Sequence, residues 1–303
     1  MKVDFVICGD LHLSDDTPQC RLDDYIKARN RKILFISELC RKNKCPAIFP
    51  GDVFDKYRVS PKLEAWSILN LPEFIAVAGQ HDLPYNNIAN FEQSSLNVLW
   101  AGRDGTSSVL VPSLPQVVCT NSKVEFFGYW WGRDISDKPK VFDESVERKV
   151  AVMHKMVWTT RIPYPGCTAD SAQKLLMKMK EFDLIITGDN HQHFMVEHEG
   201  RVLVNCGSLM RMEASQIDHK PCVYLYNAES NTVEKVELPI RKGVVSRDHI
   251  DIKVDRDNRR KALIRNLKTN TRPGLDFRKN ITIALEGTTG EVKTHVNNSL
   301  VKK

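Results

Sequence analysis

The sequence predicts an α/β protein built around a parallel sheet. Strand-like and helix-like segments alternate through the first 85 residues in the order strand, helix, strand, helix, strand. The strand-like segments are almost continuously apolar, as expected for strands that are buried on both faces of a parallel sheet. Side chains suited to metal binding follow most of these apolar runs, and open α/β sheets build their sites at that edge.

The first strand is VDFVIC, and apolar residues then recur at helical spacing across residues 21–43. PAIFP forms the second strand. Ser60 and Pro61 begin a second helix, because serine is a favoured N-cap and proline is favoured at the first helical position. EFIAVA is the third strand and completes a βαβαβ order.

The remainder of the chain predicts a more mixed architecture. Residues 102–148 contain short segments divided by proline and asparagine turns, which indicates antiparallel strands. KVAVMH resumes the buried-strand pattern, and Asp170 is the predicted cap of a helix that runs through Glu181. DLIITG, RVLVNCG and CVYLYN follow as strands. Beyond residue 241 we expect a basic helix over residues 256–268 and a strand at NITIAL.

The positive charge is concentrated at the C-terminal end. Of a net charge of +6, residues 241–303 contribute 16 basic and 7 acidic side chains, so the rest of the chain is slightly acidic. This predicts a domain of residues 1–240 and a basic segment of residues 241–303 that binds DNA or a partner protein. A solvated surface is the alternative interpretation of such a segment.

The cysteines and the apolar runs limit the cellular setting. The eight cysteines form no CxxC pair, which favours reduced thiols in a cytoplasmic protein. The longest apolar runs have the length of strands and are far too short to span a membrane. The N-terminal MKVDFVICGD is predicted to be a strand and not a secretory signal.

The side chains that indicate chemistry lie in five short segments. These are GDLHL with Asp10 and His12, GDVFD with Asp52, GQHD with His81, a lone His154, and NHQH with His191 and His193. Any one of them alone would be a hydrogen-bonded core or surface residue. All of them at strand ends predict one cleft. Aspartate and histidine without cysteine suit a pair of catalytic divalent ions better than a structural zinc.

In this order the segments resemble the calcineurin-like metallophosphoesterase superfamily, which is marked by D-x-H, G-D, G-N-H-D, a lone H and G-H-x-H. The resemblance spans residues 1 to about 215. It implies a layered sandwich of mixed β-sheets flanked by helices, with a small C-terminal extension. Within the superfamily, GDLHL, GDVFD and CGSLMR (206–211) look most like the SbcD-type exonucleases of DNA double-strand-break repair.

The resemblance implies two ligand sets. The first set is Asp10, His12, Asp52 and His193, and the second is Asp52, Gln80, His154 and His191. The shared carboxylate would bridge the two ions because it offers two oxygens and a negative charge. A hydroxide between the ions would attack phosphorus in line. His81 would stabilise the phosphate or protonate the leaving oxygen, with Asp82 orienting its ring.

Two positions depart from the family motifs. Gln80 stands where the family has asparagine, and its amide oxygen lies one methylene further out. In the last motif, Asp189 and Asn190 separate Gly188 from His191. We interpret this as a slightly longer turn that keeps both histidine ligands. Asp55 is expected to cap or orient the GDVFD loop instead of binding metal.

These features predict a metal-dependent DNA phosphodiesterase, with nuclease activity in repair or recombination. Mn²⁺ and DNA come from the resemblance, which also implies a homodimer and an SMC-like ABC ATPase partner of the SbcC type. One alternative is a phosphoesterase that acts on nucleotides, phosphoproteins or other small esters. Another is a DNA-binding subunit whose second metal site has been lost through Gln80.

Overall fold

The computed structural model shows twelve β-strands and seven α-helices in the residues that it describes. These residues are 2–110, 116–119, 122–135, 145–160, 162, 165–270 and 277–301. The strands are β1 (Phe5–Ile7), β2 (Ala47–Phe49), β3 (Phe74–Ala76), β4 (Ser108–Val109), β5 (Gln116–Cys119), β6 (Lys123–Tyr129), β7 (Arg148–Met153), β8 (Leu184–Thr187), β9 (Phe194–His198), β10 (Arg201–Asn205), β11 (Cys222–Asn227) and β12 (Thr232–Glu237). The helices are α1 (Tyr25–Asn43), α2 (Pro61–Asn70), α3 (Ser95–Ala101), α4 (Ala172–Lys178), α5 (Asp248–Asn270), α6 (Phe277–Leu285) and α7 (Gly290–Val301).

The strands form two mixed sheets of six strands each. Their orders are β12-β11-β1-β2-β3-β4 and β5-β6-β7-β8-β10-β9. β1, β2 and β3 are parallel neighbours separated along the chain by α1 and α2, so the predicted βαβαβ unit is confirmed. β5 and β6 pair antiparallel, as predicted, whereas β6, β7, β8 and β10 are parallel.

The larger apolar core contains residues of both sheets. In β7, Val150 and Val152 belong to this core, while Ala151 and Met153 belong to a smaller core that includes Leu175 of α4. Alternate residues of a strand point to opposite faces, so the second sheet is buried on both sides. This arrangement confirms the layered α/β sandwich of mixed sheets flanked by helices.

Helix starts follow local side-chain signals. Ser60 caps α2 by accepting a hydrogen bond from the N–H of Leu63 at 3.1 Å, and Pro61 is the first helical residue, as predicted. The predicted cap of α4 was wrong. Ser171 caps that helix by accepting a hydrogen bond from the N–H of Lys174 at 3.2 Å, and the helix ends at Lys178. The carboxylate of Asp170 is instead paired with the ammonium of Lys174 at 3.0 Å.

The predicted strand at NITIAL is also wrong, because this segment lies in α6. Its β-branched residues favour a strand, but its burial follows a helical spacing. Ile281, Ala284 and Leu285 are buried or half-buried, whereas Thr282 and Ile283 are exposed. Positions i, i+3 and i+4 share one helix face, and this face takes precedence over the local strand propensity.

The chain divides into two compact units, Met1–Val245 and Ser246–Lys303. The first contains both sheets and α1 to α4, and the second contains α5 to α7. α5 includes the basic helix predicted over residues 256–268. None of the described helices is long and apolar enough to cross a membrane.

Candidate metal centre

The candidate ligands come from the ends of five parallel strands, three in the first sheet and two in the second. Asp10 and His12 follow β1, Asp52 follows β2, Gln80 and His81 follow β3, His154 follows β7, and Asp189 and His191 follow β8. Because the carboxyl ends of parallel strands meet at one edge, these side chains converge. The structure therefore forms the cleft that the sequence predicts.

One group of ligand atoms consists of Asp10, His12 and His191, which lie within 4.8 Å of one another. The Nε2 atoms of His12 and His191 are 3.1 Å apart, and Nε2 of His191 is 3.8 Å from Oδ2 of Asp10. His12 and Asp10 are buried and His191 is half-buried. Nitrogen and oxygen atoms that face one another in this way can share a divalent cation.

A second group surrounds Asp52. Its Oδ2 lies 3.2 Å from Nε2 of His154 and 3.8 Å from Nε2 of His12. Asp52, His12 and His81 also bring ligand atoms within 4.8 Å of one another. One carboxylate oxygen thus lies close to nitrogens of both ligand groups.

Several polar atoms at this centre are buried without a hydrogen-bond partner among the described residues. They include Oδ1 of Asp10, Oδ2 of Asp52, Oε1 of Gln80 and Nε2 of His154, of which the Asp52 and His154 atoms form an ion pair without hydrogen-bond geometry. Unpaired buried polar atoms are rare in folded proteins because each loses its interaction with water. Three of the four are oxygens that accept, and a cation would satisfy them together. The donor set therefore fits divalent metal ions.

The electrostatics of the centre without bound ions agree with this assignment. Burial raises the pKa of Asp10 to about 7, against the opposing charge of His154. Burial also acts to raise the pKa of Asp52 and to lower that of His154. Their ion pair outweighs both effects, so the Asp52 pKa is low and the His154 pKa is raised. A proton on His154 thus occupies the position that a cation would take.

His193 is not part of either group. Its Nε2 lies 3.1 Å from Nζ of Lys235, and its ring centroid is 6.0 Å from that of His219. The histidine that joins Asp10 and His12 is His191. This grouping favours His191, and not the expected His193, as the histidine beside Asp10 and His12.

Asp189 lies between Asp10 and Gln80, next to the second ligand group. Its backbone N–H donates to Oδ2 of Asp10 at 2.9 Å, and its Oδ1 accepts from Nε2 of Gln80 at 2.9 Å. The signal was present in the spacing, since His191 stands three residues after Gly188, as the second histidine does in G-H-x-H. By this spacing Asp189 stands where the motif has its first histidine, and no longer turn is needed to align the motif.

Asp82 has a different role from the expected one. It is fully buried and accepts hydrogen bonds from the N–H groups of Val53, Phe54 and Gly79 at 3.2, 3.0 and 3.0 Å. Burial, together with the nearby carboxylate of Asp52, raises its pKa to about 6. Asp82 therefore joins the loops after β2 and β3 instead of orienting the ring of His81.

Asp55 makes the contact that was expected of Asp82. Its backbone oxygen lies 2.7 Å from Nδ1 of His81, and its Oδ1 lies 3.5 Å from Nδ1 of His12. A carboxylate on the far nitrogen of a ligand histidine fixes its ring and tautomer. From the sequence we expected Asp55 to cap or orient the GDVFD loop, and in the structure it orients two histidines.

The backbone at the centre is strained. His12, Asp52 and Asp189 have φ angles of 43°, 47° and 74°, a region that non-glycine residues seldom adopt. Such strain collects at functional sites where the surrounding structure enforces it. Gly51 has a φ of 112°, and a Cβ there would lie 2.2 Å from Nδ1 of His154. Glycine is therefore required for the close approach of these loops.

The family model of the calcineurin-like phosphoesterases matches residues 3–193 of the chain. The protein belongs to this family. As a calcineurin-like phosphoesterase it is a hydrolase of phosphoesters, and divalent metal ions are the cofactors that such sites hold. The Asp10 and Asp52 groups are its candidate ligand sets.

Solved structures with a similar arrangement share little sequence with this phosphoesterase. A novel archaeal phosphodiesterase is 14% identical, with 77% of this chain and 99% of that chain covered and a TM-score of 0.41. Protein TT1561 of Thermus thermophilus is 11% identical, with 78% and 99% covered and a TM-score of 0.46. No curated protein matches the chain significantly by sequence.

Proposed function

We propose that the protein is a two-metal phosphodiesterase that acts as a DNA nuclease in repair or recombination, with Mn²⁺ as the activating ion. The observation that carries the proposal is the position of Asp52. Its Oδ2 lies 3.2 Å from a ligand nitrogen of His154 and 3.8 Å from one of His12. A carboxylate between two ligand groups is suited to holding two cations at a short separation.

Divalent ions held in this centre would supply Lewis-acid polarisation of the phosphoryl oxygens and activation of the attacking water. The protein positions His81 beside Asp52. The backbone N–H of His81 donates to Oδ1 of Asp52 at 2.9 Å. Its Nδ1 lies 2.7 Å from the carbonyl oxygen of Asp55, which can only accept, so Nδ1 carries a hydrogen. Nε2 is then the remaining ring nitrogen, and it can donate a proton to the leaving oxygen when the ring is doubly protonated.

A cavity of about 440 Å³ beside the centre supports a nucleic-acid substrate. His154 and Asp189 form part of its lining, and Trp131, Arg133 and Lys155 form another part. Trp131 is half-buried, and its backbone N–H donates to the carbonyl of Ala78 at 3.0 Å, next to the loop that carries Gln80. An indole ring with two cations beside a phosphate site suits a base and its flanking phosphates.

The position of Gln80 in the metal centre is evidence against a binding subunit that has lost its second metal site. Nε2 of Gln80 is used by Asp189, which leaves Oε1 as the buried atom without a partner. An amide oxygen so placed is available as a ligand. Gln80 therefore remains in our proposed second ligand set, together with Asp52, His154 and Asp189.

The test is hydrolysis of end-labelled duplex DNA by the purified chain in Mn²⁺, in Mg²⁺ and in a chelator, beside a His81→Ala variant. We expect degradation in Mn²⁺ that is lost with the chelator and falls steeply in the variant. Hydrolysis of small p-nitrophenyl phosphate esters without any cleavage of DNA would instead support a phosphoesterase that acts on small esters. Binding of DNA without hydrolysis of either substrate would support the binding subunit.

We also propose that the basic segment of residues 241–303 binds DNA or an SMC-like ABC ATPase of the SbcC type, and that the protein works as a homodimer. α5 carries exposed arginines at 256, 259 and 260. Replacing these three by glutamine should weaken binding of duplex DNA or of the ATPase and should spare hydrolysis of a small diester. Unchanged binding of both partners would overturn this part, and sedimentation of the intact chain tests the dimer.

A further inference from the structure

A second cavity, of about 320 Å³, shares none of its described lining residues with the metal centre. It lies at the start of α1, against the segments that follow β10 and β12. Six cationic side chains line it: Arg21, Lys27, Arg31, Lys32, Arg211 and Arg241. Its lining also includes two carboxylates, Asp23 and Asp24.

Both carboxylates are already paired. Asp23 accepts two hydrogen bonds from the guanidinium of Arg21 at 2.8 and 2.9 Å, and Asp24 forms an ion pair with Lys27 at 2.9 Å. The remaining four cations have no counterpart among the described carboxylates of the cavity. The lining therefore carries an excess of positive charge.

Two of these four cations are deeply buried. Lys32 is 3% exposed and Arg211 is 5% exposed. Nζ of Lys32 donates to the carbonyl of Leu209 at 2.6 Å. The terminal nitrogens of Arg211 donate to the carbonyls of Ile217 and Arg241 at 3.1 and 2.6 Å, while its Nε has no partner among the described residues.

Buried charge without a counter-charge is costly, and the side chains show the strain that results. Burial and the positive charges of Arg21 and Arg211 lower the pKa of Lys32 to about 7. Burial and Arg21 likewise lower the pKa of Arg211. Carbonyl contacts alone do not neutralise this group of cations, whereas an anion in the cavity would.

We propose that this cavity is an oxyanion site that binds a phosphate group through Lys32, Arg211 and the exposed rim residues Arg31 and Arg241. A phosphate offers a double charge and several acceptor oxygens, and planar guanidinium groups match its edges. A monocarboxylate offers one charge and two oxygens to four cations. The phosphate comes from solution or from a nucleic-acid backbone, and both sources present the same chemistry to the site.

This site is linked to the metal centre through one residue. The N–H of Leu209 donates to the carbonyl of Asp10 at 2.8 Å, and the carbonyl of Leu209 accepts from Lys32. The proposal does not depend on the nuclease assignment, because its ligands are separate from the metal ligands. A failed nuclease assay would leave it untouched.

The test is calorimetric titration of inorganic phosphate into the full chain, after metal removal on a chelating resin. We expect saturable binding at this site, weakened at least about tenfold by Arg31→Gln combined with Arg241→Gln, since each charge-assisted hydrogen bond is worth roughly tenfold. Both rim side chains are exposed, so this variant should fold even if Lys32→Met does not. Lys42→Gln, on the exposed end of α1, should bind phosphate as the unaltered chain does.

Competition between duplex DNA and inorganic phosphate identifies the source of the phosphate group. Duplex DNA that displaces phosphate from the unaltered chain but not from the rim variant would assign the site to backbone phosphates. DNA that binds without displacing phosphate would assign it to the free anion. The proposal is overturned if phosphate shows no saturable binding, if the rim variant binds it as tightly as the unaltered chain, or if acetate binds equally well.

Discussion

The side-chain amide of Gln80 donates to the carboxylate of Asp189 at 2.9 Å. These are the two positions at which the chain departs from its family's motifs, and they contact each other. Glutamine is one methylene longer than asparagine, and aspartate is shorter than histidine. The two changes therefore complement each other in size across the second ligand set.

This contact predicts strong coupling between the two positions. Gln80→Asn and Asp189→His should each lower hydrolysis, because each disturbs a matched pair, while the double variant should recover much of the activity. Residues in one hydrogen-bonded network typically show interaction energies of about 0.5 to 3 kcal/mol. The double-mutant cycle compares the unaltered chain, the two single variants and the double variant by steady-state kinetics and metal content. Additive losses would show that the two positions act independently.

His191 and His193 should differ sharply in their importance. His191→Ala removes a nitrogen 3.1 Å from that of His12 and should lower activity more than about a hundredfold, beyond the usual effect of an outer-shell partner. His193→Ala removes a contact with Lys235 and should retain most activity. Steady-state kinetics with metal analysis decide the matter. Equal losses in the two variants would restore His193 as a ligand.

Binding of metal should release protons. Asp52 raises the pKa of His154 above its ordinary value, so without metal the imidazole is protonated at neutral pH. A metal binds the neutral ring, so affinity should rise with pH, up to about tenfold per unit for one proton. Calorimetry in two buffers with different ionisation enthalpies measures the protons released. No difference between the buffers would contradict the protonated His154.

Asp82→Ala should strongly reduce the stability of the folded protein. Three buried N–H groups would lose their acceptor, at about 1 to 3 kcal/mol each, so the free energy of unfolding should fall by at least about 3 kcal/mol. Denaturant titration measures this loss. Asp134→Ala, at an exposed carboxylate, is the control and should change little. A stable Asp82→Ala variant with low activity would instead support the catalytic role expected from the sequence.

Stability should depend on the protonation of Lys32. Its pKa is about 7 in the folded chain and 10.5 in the reference state. Between these values the unfolded chain binds the extra proton, so lowering the pH through this window favours unfolding. The free energy of unfolding, taken relative to Lys32→Met, should therefore fall from about pH 10 to pH 7. A flat difference across this range would mean that Lys32 stays charged when folded.

The strand ends and most of the candidate metal centre were predictable because parallel strands bring their carboxyl ends to one edge. Asp10, His12, Asp52 and His154 needed no tertiary information beyond that rule. The choice between His191 and His193 was different, since an H-x-H pattern leaves both candidates open. Only the distance from Gly188 separated them, and Lys235, which contacts His193, comes from a strand 42 residues away.

Roles that depend on backbone contacts could not be predicted from residue type. Asp82 follows His81 directly, which suggests a contact between the two side chains. The fold instead turns the carboxylate toward the N–H groups of Val53 and Phe54. NITIAL shows the same limit for secondary structure, because its β-branched residues indicate a strand until the burial of Ala284 and Leu285 is known.

The candidate ligands are divided between the two layers of the sandwich. Asp10, Asp52 and Gln80 extend from the first sheet, and His154, Asp189 and His191 extend from the second. An ion bound by ligands from both sheets would link two layers that otherwise contact each other through apolar packing. The melting temperature should then track free metal concentration, with about 2.7 kcal/mol gained at a hundredfold excess over the dissociation constant. Metal supply would set the lifetime of the fold as well as the rate of its chemistry.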